Sequence, residues 1–312
     1  MKYWQLKFLV LQNLLNYYMY YRRKIILSLI EIFGGELEKF QFQKLLMLFA
    51  IHQKNPSYHF VPYKYGCFSF QANADLATMR KYEWVEEGEK YWKKTANQSY
   101  LSELTAEDKK ALLDLKNNFS GKSSEYLIKH TYKNYPYYAI NSKIAHQLLN
   151  ADELNKVTKK RPVSEKNALF TIGYEGVSIE QYLNKLIKAD VKVLCDVRKN
   201  SYSMKYGFSK SQLKMACEGV GIQFLHIPEV GIVSDKRKEL NNQSDYDILF
   251  EDYVQTVLPK TLSEQEMIHK LIKEHQRVAI TCFEKDICQC HRKHLAEAIC
   301  QLPEFDYELI HL

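Results

Sequence analysis

Cysteine is sparse and irregularly placed in this chain, with seven residues at 67, 195, 217, 282, 288, 290 and 300 spread over 312 positions. That spacing excludes a disulfide framework and makes a reducing, cytoplasmic setting the expected one. Long apolar runs are missing as well. The stretch before Arg22 has an apolar middle, but Gln12, Asn13 and Asn16 interrupt it and no small-residue cleavage site follows. Neither a leader peptide nor a bilayer span is therefore expected, and no membrane partner. That stretch is expected to be an amphipathic helix lying on the first domain, or an upstream extension. Internal repeats and low-complexity tracts are absent too, so repeat architectures are excluded.

What is present is the composition of a globular protein, 46% hydrophobic and 26% charged, with 13% aromatics that include 23 tyrosines. The net charge of +7 divides unevenly: residues 1–166 carry a balance of +10 and residues 167–312 a balance of −3. DNA or RNA, if bound, is expected to meet the basic half, although no dense basic cluster marks the place.

In that half, Ile25, Ile26, Leu29, Ile30 and Phe33 follow helical spacing up to Gly34-Gly35. Phe42, Leu45, Leu46 and Phe49 mark a second helix. Ser69 can cap a third that runs to about Tyr82, with Leu76 and Met79 inward. Trp84-Val85 and Tyr91-Trp92 around Gly88 read as a hairpin. Three helices and a two-stranded ribbon give the element order of a winged helix, with Lys64, Arg80 and Lys81 as candidate nucleic-acid contacts. Thr105 with Asp108 approximates a capping box for a later helix. The tyrosines around Pro136 are expected to pack on this first domain. We place that mainly helical domain at 1–150 and a polar linker around Lys159-Lys160-Arg161-Pro162 at 151–167.

From Ala168 to the end, at 168–312, short β-rich runs alternate with helical patterns. The expected fold is α/β, a parallel sheet with helices on both faces in three layers. Ligands of such sheets sit outside the carboxyl ends of the strands. Here those ends carry Gly173-Tyr174-Glu175-Gly176, Asp196-Val197-Arg198, His226-Ile227-Pro228-Glu229 and Cys282-Phe283-Glu284. Asp196, Glu284, Cys282, Cys290 and Tyr174 are the candidate catalytic residues, with Asp196 or Glu284 as acid or base and Tyr174 positioning substrate.

Arg198, His291, Arg292 and Ser203 are the candidate anion-binding residues, because a helix starting near Cys290 presents backbone N–H groups and adds two side-chain donors. The same helix terminus would lower a thiol pKa and make Cys290 a nucleophile. Cys288, Cys290 and His291 with Cys282 could instead bind zinc, though not at a standard paired spacing, and neither metal nor cofactor is assigned. His226 is expected to satisfy a local hydrogen bond.

Several of these pieces resemble the bacterial family called domain of unknown function 488 (DUF488): Thr171-Ile172-Gly173-Tyr174, Asp196-Val197-Arg198, Ser203 with Phe208, the stretch from Gly221-Ile222 to Gly231, and Cys282-x-Glu284 through Cys290-His291-Arg292. Ser201 stands where that family usually has proline. The resemblance implies an α/β fold and a shared site but no settled reaction. The first half resembles the domain that sometimes precedes this one and, more loosely, antitoxin-type domains. The residues that carry this are Gln43-Lys44-Leu45-Leu46 and Tyr65-Gly66-Cys67-Phe68-Ser69, with Cys67 in place of proline.

The reading that follows is a nucleic-acid-associated enzyme or effector whose α/β domain binds a nucleotide or another phosphate-bearing small molecule. Two alternatives stay open: a non-catalytic DNA-binding regulator or antitoxin-like module that senses a small anion, and a thiol-dependent phosphatase-like or sulfurtransferase-like enzyme. Whether the site turns over substrate stays open with them.

Overall fold

The computed structural model describes residues 19–237, 240 and 242–312, so the segment before Met19 lies outside the described residues. In chain order come α1 (Tyr21–Ile32), β1 (Glu36–Glu38), α2 (Lys39–Ala50), β2 (Val61–Tyr63), β3 (Gly66–Phe68), α3 (Phe70–Lys81), β4 (Val85–Glu87), β5 (Tyr91–Lys94), α4 (Ala106–Phe119) and α5 (Ser124–Asn134). After them follow α6 (Ala145–Leu148), α7 (Ala151–Lys160), β6 (Ala168–Gly173), α8 (Ile179–Lys188), β7 (Val193–Asp196), α9 (Lys210–Gly219) and β8 (Gln223–His226). The last elements are α10 (Gln243–Thr256), α11 (Leu262–His275), β9 (Arg277–Cys282), α12 (Arg292–Cys300) and β10 (Glu308–His311). Two compact units result, one of residues 1–60 and 67–135, the other of residues 61–66 and 136–312.

In the first unit, β1, β5 and β4 form an antiparallel sheet in that order, with Leu37 opposite Trp92 and Glu87 opposite the same residue on the other side. Ile25, Ile26, Leu29 and Ile30 of α1 are buried, as are Phe42, Leu45, Leu46 and Phe49 of α2. Ser69 caps α3 by accepting from the Ala72 N–H at 3.2 Å, and Thr105 caps α4 in the same way from Asp108. The two segments of the antitoxin-like resemblance meet. The buried Lys44 ammonium donates to the Cys67 carbonyl at 3.3 Å, and the Gln43 side chain accepts from the Ser69 N–H at 2.9 Å. Burial pulls the Lys44 pKa below its ordinary value.

Two boundaries differ from those read from composition. The units divide after Tyr135 rather than near 150, and Tyr137 belongs to the second unit, where its hydroxyl donates to Asn184 at 2.8 Å. Residues 151–160, expected as linker, form α7, which opens with a reciprocal capping box of Asn150 and Glu153. Val157 is its buried residue. A helix lying on a surface with one buried side chain is polar almost all round, and that polarity is what resembled a linker.

The second unit is built on a five-stranded parallel sheet in the order β10-β6-β9-β7-β8. Chain direction sets where the helices go. The β6 to β7 and β7 to β8 connections run toward one edge, whereas β8 to β9 and β9 to β10 run back toward the other. Right-handed crossovers then put α8 and α9 on one face and α10, α11 and α12 on the opposite one, giving three layers. Leu169, Val193, Cys195, Val278 and Ile280 pack with Leu249, Phe250, Ile268, Ile272, Leu295 and Ile299 on the second face. The connections from β6 and β9, which are neighbours, leave in opposite directions. This makes the carboxyl ends of that pair the crevice where ligands of such sheets bind. Among the described residues, no helix is long and apolar enough to cross a membrane.

Candidate functional site

Alternation along the strands separates the candidate residues into two networks on opposite faces of the sheet, which meet at its carboxyl edge. Asp196 and Arg198 share the face of α8 and α9. Asp196 is fully buried, and its carboxylate accepts from the Arg198 Nε–H at 2.8 Å and the Nη2–H at 2.7 Å. Arg198 also donates through Nη1 to the Tyr174 hydroxyl at 2.6 Å and through Nη2 to the Phe208 carbonyl at 2.9 Å. Burial alone would lower the Arg198 pKa, but the hydrogen bonds and charge of Asp196 more than offset it, so the net shift is upward. The Tyr174 ring stacks on Phe208 with centroids 4.2 Å apart.

Cys282 has the same strand parity as Val278 and Ile280 and therefore belongs to the face of α10 to α12. Its Sγ donates to the Glu284 carboxylate at 3.1 Å and lies 3.7 Å from His291 Nδ1. His291 Nε2 lies 3.2 Å from the Val197 carbonyl. A carbonyl only accepts, so Nε2 is the donor there, and in the neutral ring Nδ1 is then the acceptor facing Cys282. The Tyr253 ring meets the His291 ring edge-on at 5.5 Å. Cys290 adopts extended backbone and His291 helical backbone, and this change of conformation lets two adjacent side chains face the same way. Cys282, Cys290 and His291 bring their sulfur and nitrogen atoms within 4.8 Å of one another.

Both networks open on one cleft of about 340 Å³, lined by Tyr174, Arg198, Ser203, Cys282, Glu284 and His291 together with Lys199, Asn200, Tyr202, Met204, Ile232 and Phe283. The loops at its floor are tied across the β6 and β9 ends. Tyr174 N–H and Glu175 N–H both donate to the Phe283 carbonyl, and Lys285 N–H donates to the Glu175 carboxylate at 3.0 Å.

Several expected roles change in this setting. Asp196 does not line the cleft, and Arg198 hydrogen-bonds to both of its oxygens, an arrangement that fits orienting the guanidinium better than acid or base work. Arg292 is buried behind the loop and donates to the carbonyls of Glu284 and Lys285 at 2.5 and 3.1 Å, so it holds the loop instead of an anion. Cys290 is fully buried outside the cleft. Burial, then the hydrogen bond and charge of Cys282, push its thiol well above the ordinary value. The charge and backbone N–H of Arg292, at the start of α12, act downward as expected of a helix terminus, but burial and Cys282 outweigh them. Cys288 is exposed and stands outside the Cys282, Cys290 and His291 group.

Ser203 lines the cleft while its Oγ accepts from the Lys205 N–H. His226 Nε2 donates to the Arg198 carbonyl at 3.0 Å, the local role expected of it. Of the nucleic-acid candidates, Arg80 pairs with Glu87 in the first unit, where Lys81 is exposed. Lys64 belongs to the second unit, over the Tyr63 ring. Not singled out as site residues from the sequence were Phe208, which supplies both a stacking ring and a carbonyl, the Val197 carbonyl, and the cleft aromatics Phe283 and Tyr202. Backbone acceptors leave no side-chain signal to read.

Fold and cleft together define the second unit as a parallel α/β domain with a cleft at the sheet's switch point. Within that class, the family model described as Domain of unknown function DUF488 matches residues 178–299 and supports that family assignment for this unit. The matched span holds the cleft residues from Arg198 to His291; Tyr174 precedes it. Comparison with the curated proteins and with the solved structures gave no match.

Proposed function

We propose that the chain is a nucleic-acid-associated enzyme whose α/β unit takes a nucleotide into the switch-point cleft and carries out hydrolysis there, with Glu284 as acid and base. The observation that carries this reading is the convergence on one cleft of groups from separate strand ends: Tyr174 and Arg198 from one face, Cys282, Glu284 and His291 from the other. A volume near 340 Å³ suits one base with its sugar, and the exposed rings of Phe283 and Tyr202 offer stacking surfaces at the mouth. Phe283→Ala is expected to weaken mononucleotide binding to the full chain about tenfold in calorimetry, the size of one lost base stack. Unchanged binding in this variant, or no nucleotide binding by the parent chain, sinks the reading.

The first unit supports the nucleic-acid half of the proposal. With β2–β3 inserted between α2 and α3, and α4 and α5 added after β5, the order α1, β1, α2, α3, β4, β5 with β1 paired to β5 is compatible with a winged helix. In this reading α3 is the groove helix. Asn73, Arg80 and Lys81 are exposed on it, and because Arg80 is engaged by Glu87, Lys81 is the better phosphate contact. Lys81→Glu should lower oligonucleotide affinity similarly for all sequences and reduce the salt slope of binding by about one, measured by fluorescence anisotropy across a salt series.

A second reading has its own observation, the 3.7 Å approach of Cys282 Sγ to His291 Nδ1. A histidine placed there could accept the thiol proton and leave a thiolate nucleophile facing the cleft. Rapid alkylation of Cys282 by iodoacetamide in native protein, abolished in His291→Ala, would favour it.

A further inference from the structure

We propose that Cys282, Cys290 and His291 together bind one zinc ion whose fourth position opens into the cleft. The three donor atoms lie within 4.8 Å of one another and all three residues are buried. Cys282 Sγ and His291 Nδ1 are 3.7 Å apart, close to the edge of about 3.6 Å that a tetrahedral zinc with ordinary Zn–S and Zn–N lengths requires. His291 is held as a metal-bound histidine is held, with its far nitrogen donating to a backbone carbonyl, here that of Val197, and its near nitrogen offering a lone pair.

Charge points the same way. Two sulfurs, an imidazole nitrogen and the Glu284 carboxylate converge at one end of the sheet, where the Arg292 guanidinium acts on Cys290 by its charge but gives its hydrogen bonds to loop carbonyls. A dication at the centre of the donor atoms offsets this accumulation of electron density.

The geometry also makes the site one-sided. Cys282 and His291 line the cleft and Cys290 does not, so Cys290 closes the back and the open position faces substrate. Three protein ligands with an open fourth position is the pattern of catalytic zinc. Glu284, 3.1 Å from Cys282 Sγ, stands beside the open position. It would accept a proton from zinc-bound water. The hydroxide would form a bond to the electrophilic atom of the substrate while the bond to the leaving group breaks, and the leaving group would depart with the proton held by Glu284. This rests on reading the cleft as the hydrolytic site, and it sets Cys282 as a ligand rather than a nucleophile.

Metal analysis of the full chain, purified without chelator and reconstituted with zinc, is expected to find close to one zinc per chain. Cys290→Ser should lose most of it, and Cys288→Ser should keep it. Cobalt substitution of the parent protein should give visible ligand-field bands and a near-ultraviolet thiolate charge-transfer band, which tests the ligand set even where Cys290→Ser does not fold. A reconstituted parent chain without metal, or a folded Cys290→Ser with full zinc, overturns the site. If zinc is absent while Phe283→Ala still weakens nucleotide binding, the metal site falls and the cleft reading stands. If zinc is present and no nucleotide binds, the metal site stands and the cleft reading falls.

Discussion

Asp196→Ala is expected to destabilise the α/β unit by about 3–5 kcal/mol, the usual cost of removing one partner from a buried ion pair. Arg198 would keep its charge at 5% exposure with its Nε and one Nη2 donor unmatched. Urea unfolding of the full chain, followed by a probe in the second unit, measures the loss. Asp196→Ala combined with Arg198→Met should recover much of it, because no buried charge is then left alone. A single variant as stable as the parent would show that the pair is not formed as described.

The consequence reaches the other face of the sheet. Val197 lies between the paired residues and its carbonyl accepts from His291, while the Arg198 carbonyl accepts from His226. Backbone that shifts when the ion pair is lost moves the acceptor that orients the His291 ring. Asp196→Asn, which keeps the shape, should lose less stability than Asp196→Ala and retain more mononucleotide binding. That ordering separates a positioning role from a catalytic one, in which either variant would abolish turnover alike.

These dependencies show how much of the site was legible in the chain. Strand ends carrying Tyr174, Asp196-Val197-Arg198 and Cys282-x-Glu284 were visible as polar or reactive residues closing apolar runs, and parallel pairing gathers them on one edge. The period of two placed Asp196 and Arg198 on the same face. What it could not give was the face of Cys282 relative to theirs, because that needs the strand order, and connections of these lengths are compatible with several orders. Position beyond β9 was misread for a related reason. Cys290, His291 and Arg292 look like one helix start, yet extended backbone at Cys290 turns its sulfur inward, and Arg292 points back to loop carbonyls. The first unit was read from helical spacing and caps, which are local. Its boundary at Tyr135 was not, since a tyrosine-rich tract around Pro136 carries no sequence signal for which side of a division it joins.

Gly173→Ala is expected to damage the site more than any change to a side chain that lines it. Gly173 ends β6 directly opposite Cys282, and a Cβ built there falls 1.8 Å from the Glu284 carbonyl oxygen and 2.7 Å from its carbon. Both are backbone atoms, so no rotamer relieves the clash, and the loop must retreat by more than an ångström to reach ordinary contact. That loop is fastened from several directions. The Phe283 carbonyl takes two N–H groups from the β6 end, Glu175 holds Lys285 N–H, and Arg292 holds the next two carbonyls. Retreat would break some of these bonds, for a stability cost of about 1–3 kcal/mol or more. It would also carry Glu284 away from Cys282 and Phe283 away from the cleft mouth. Mononucleotide affinity should therefore fall at least tenfold, and bound zinc should become removable by mild chelation. Cys288→Ser, in the same loop but exposed, serves as the control and should change neither. A Gly173→Ala chain that binds nucleotide and metal like the parent would mean that the β6 and β9 ends do not meet as closely as described, and the cleft between them would have to be redrawn.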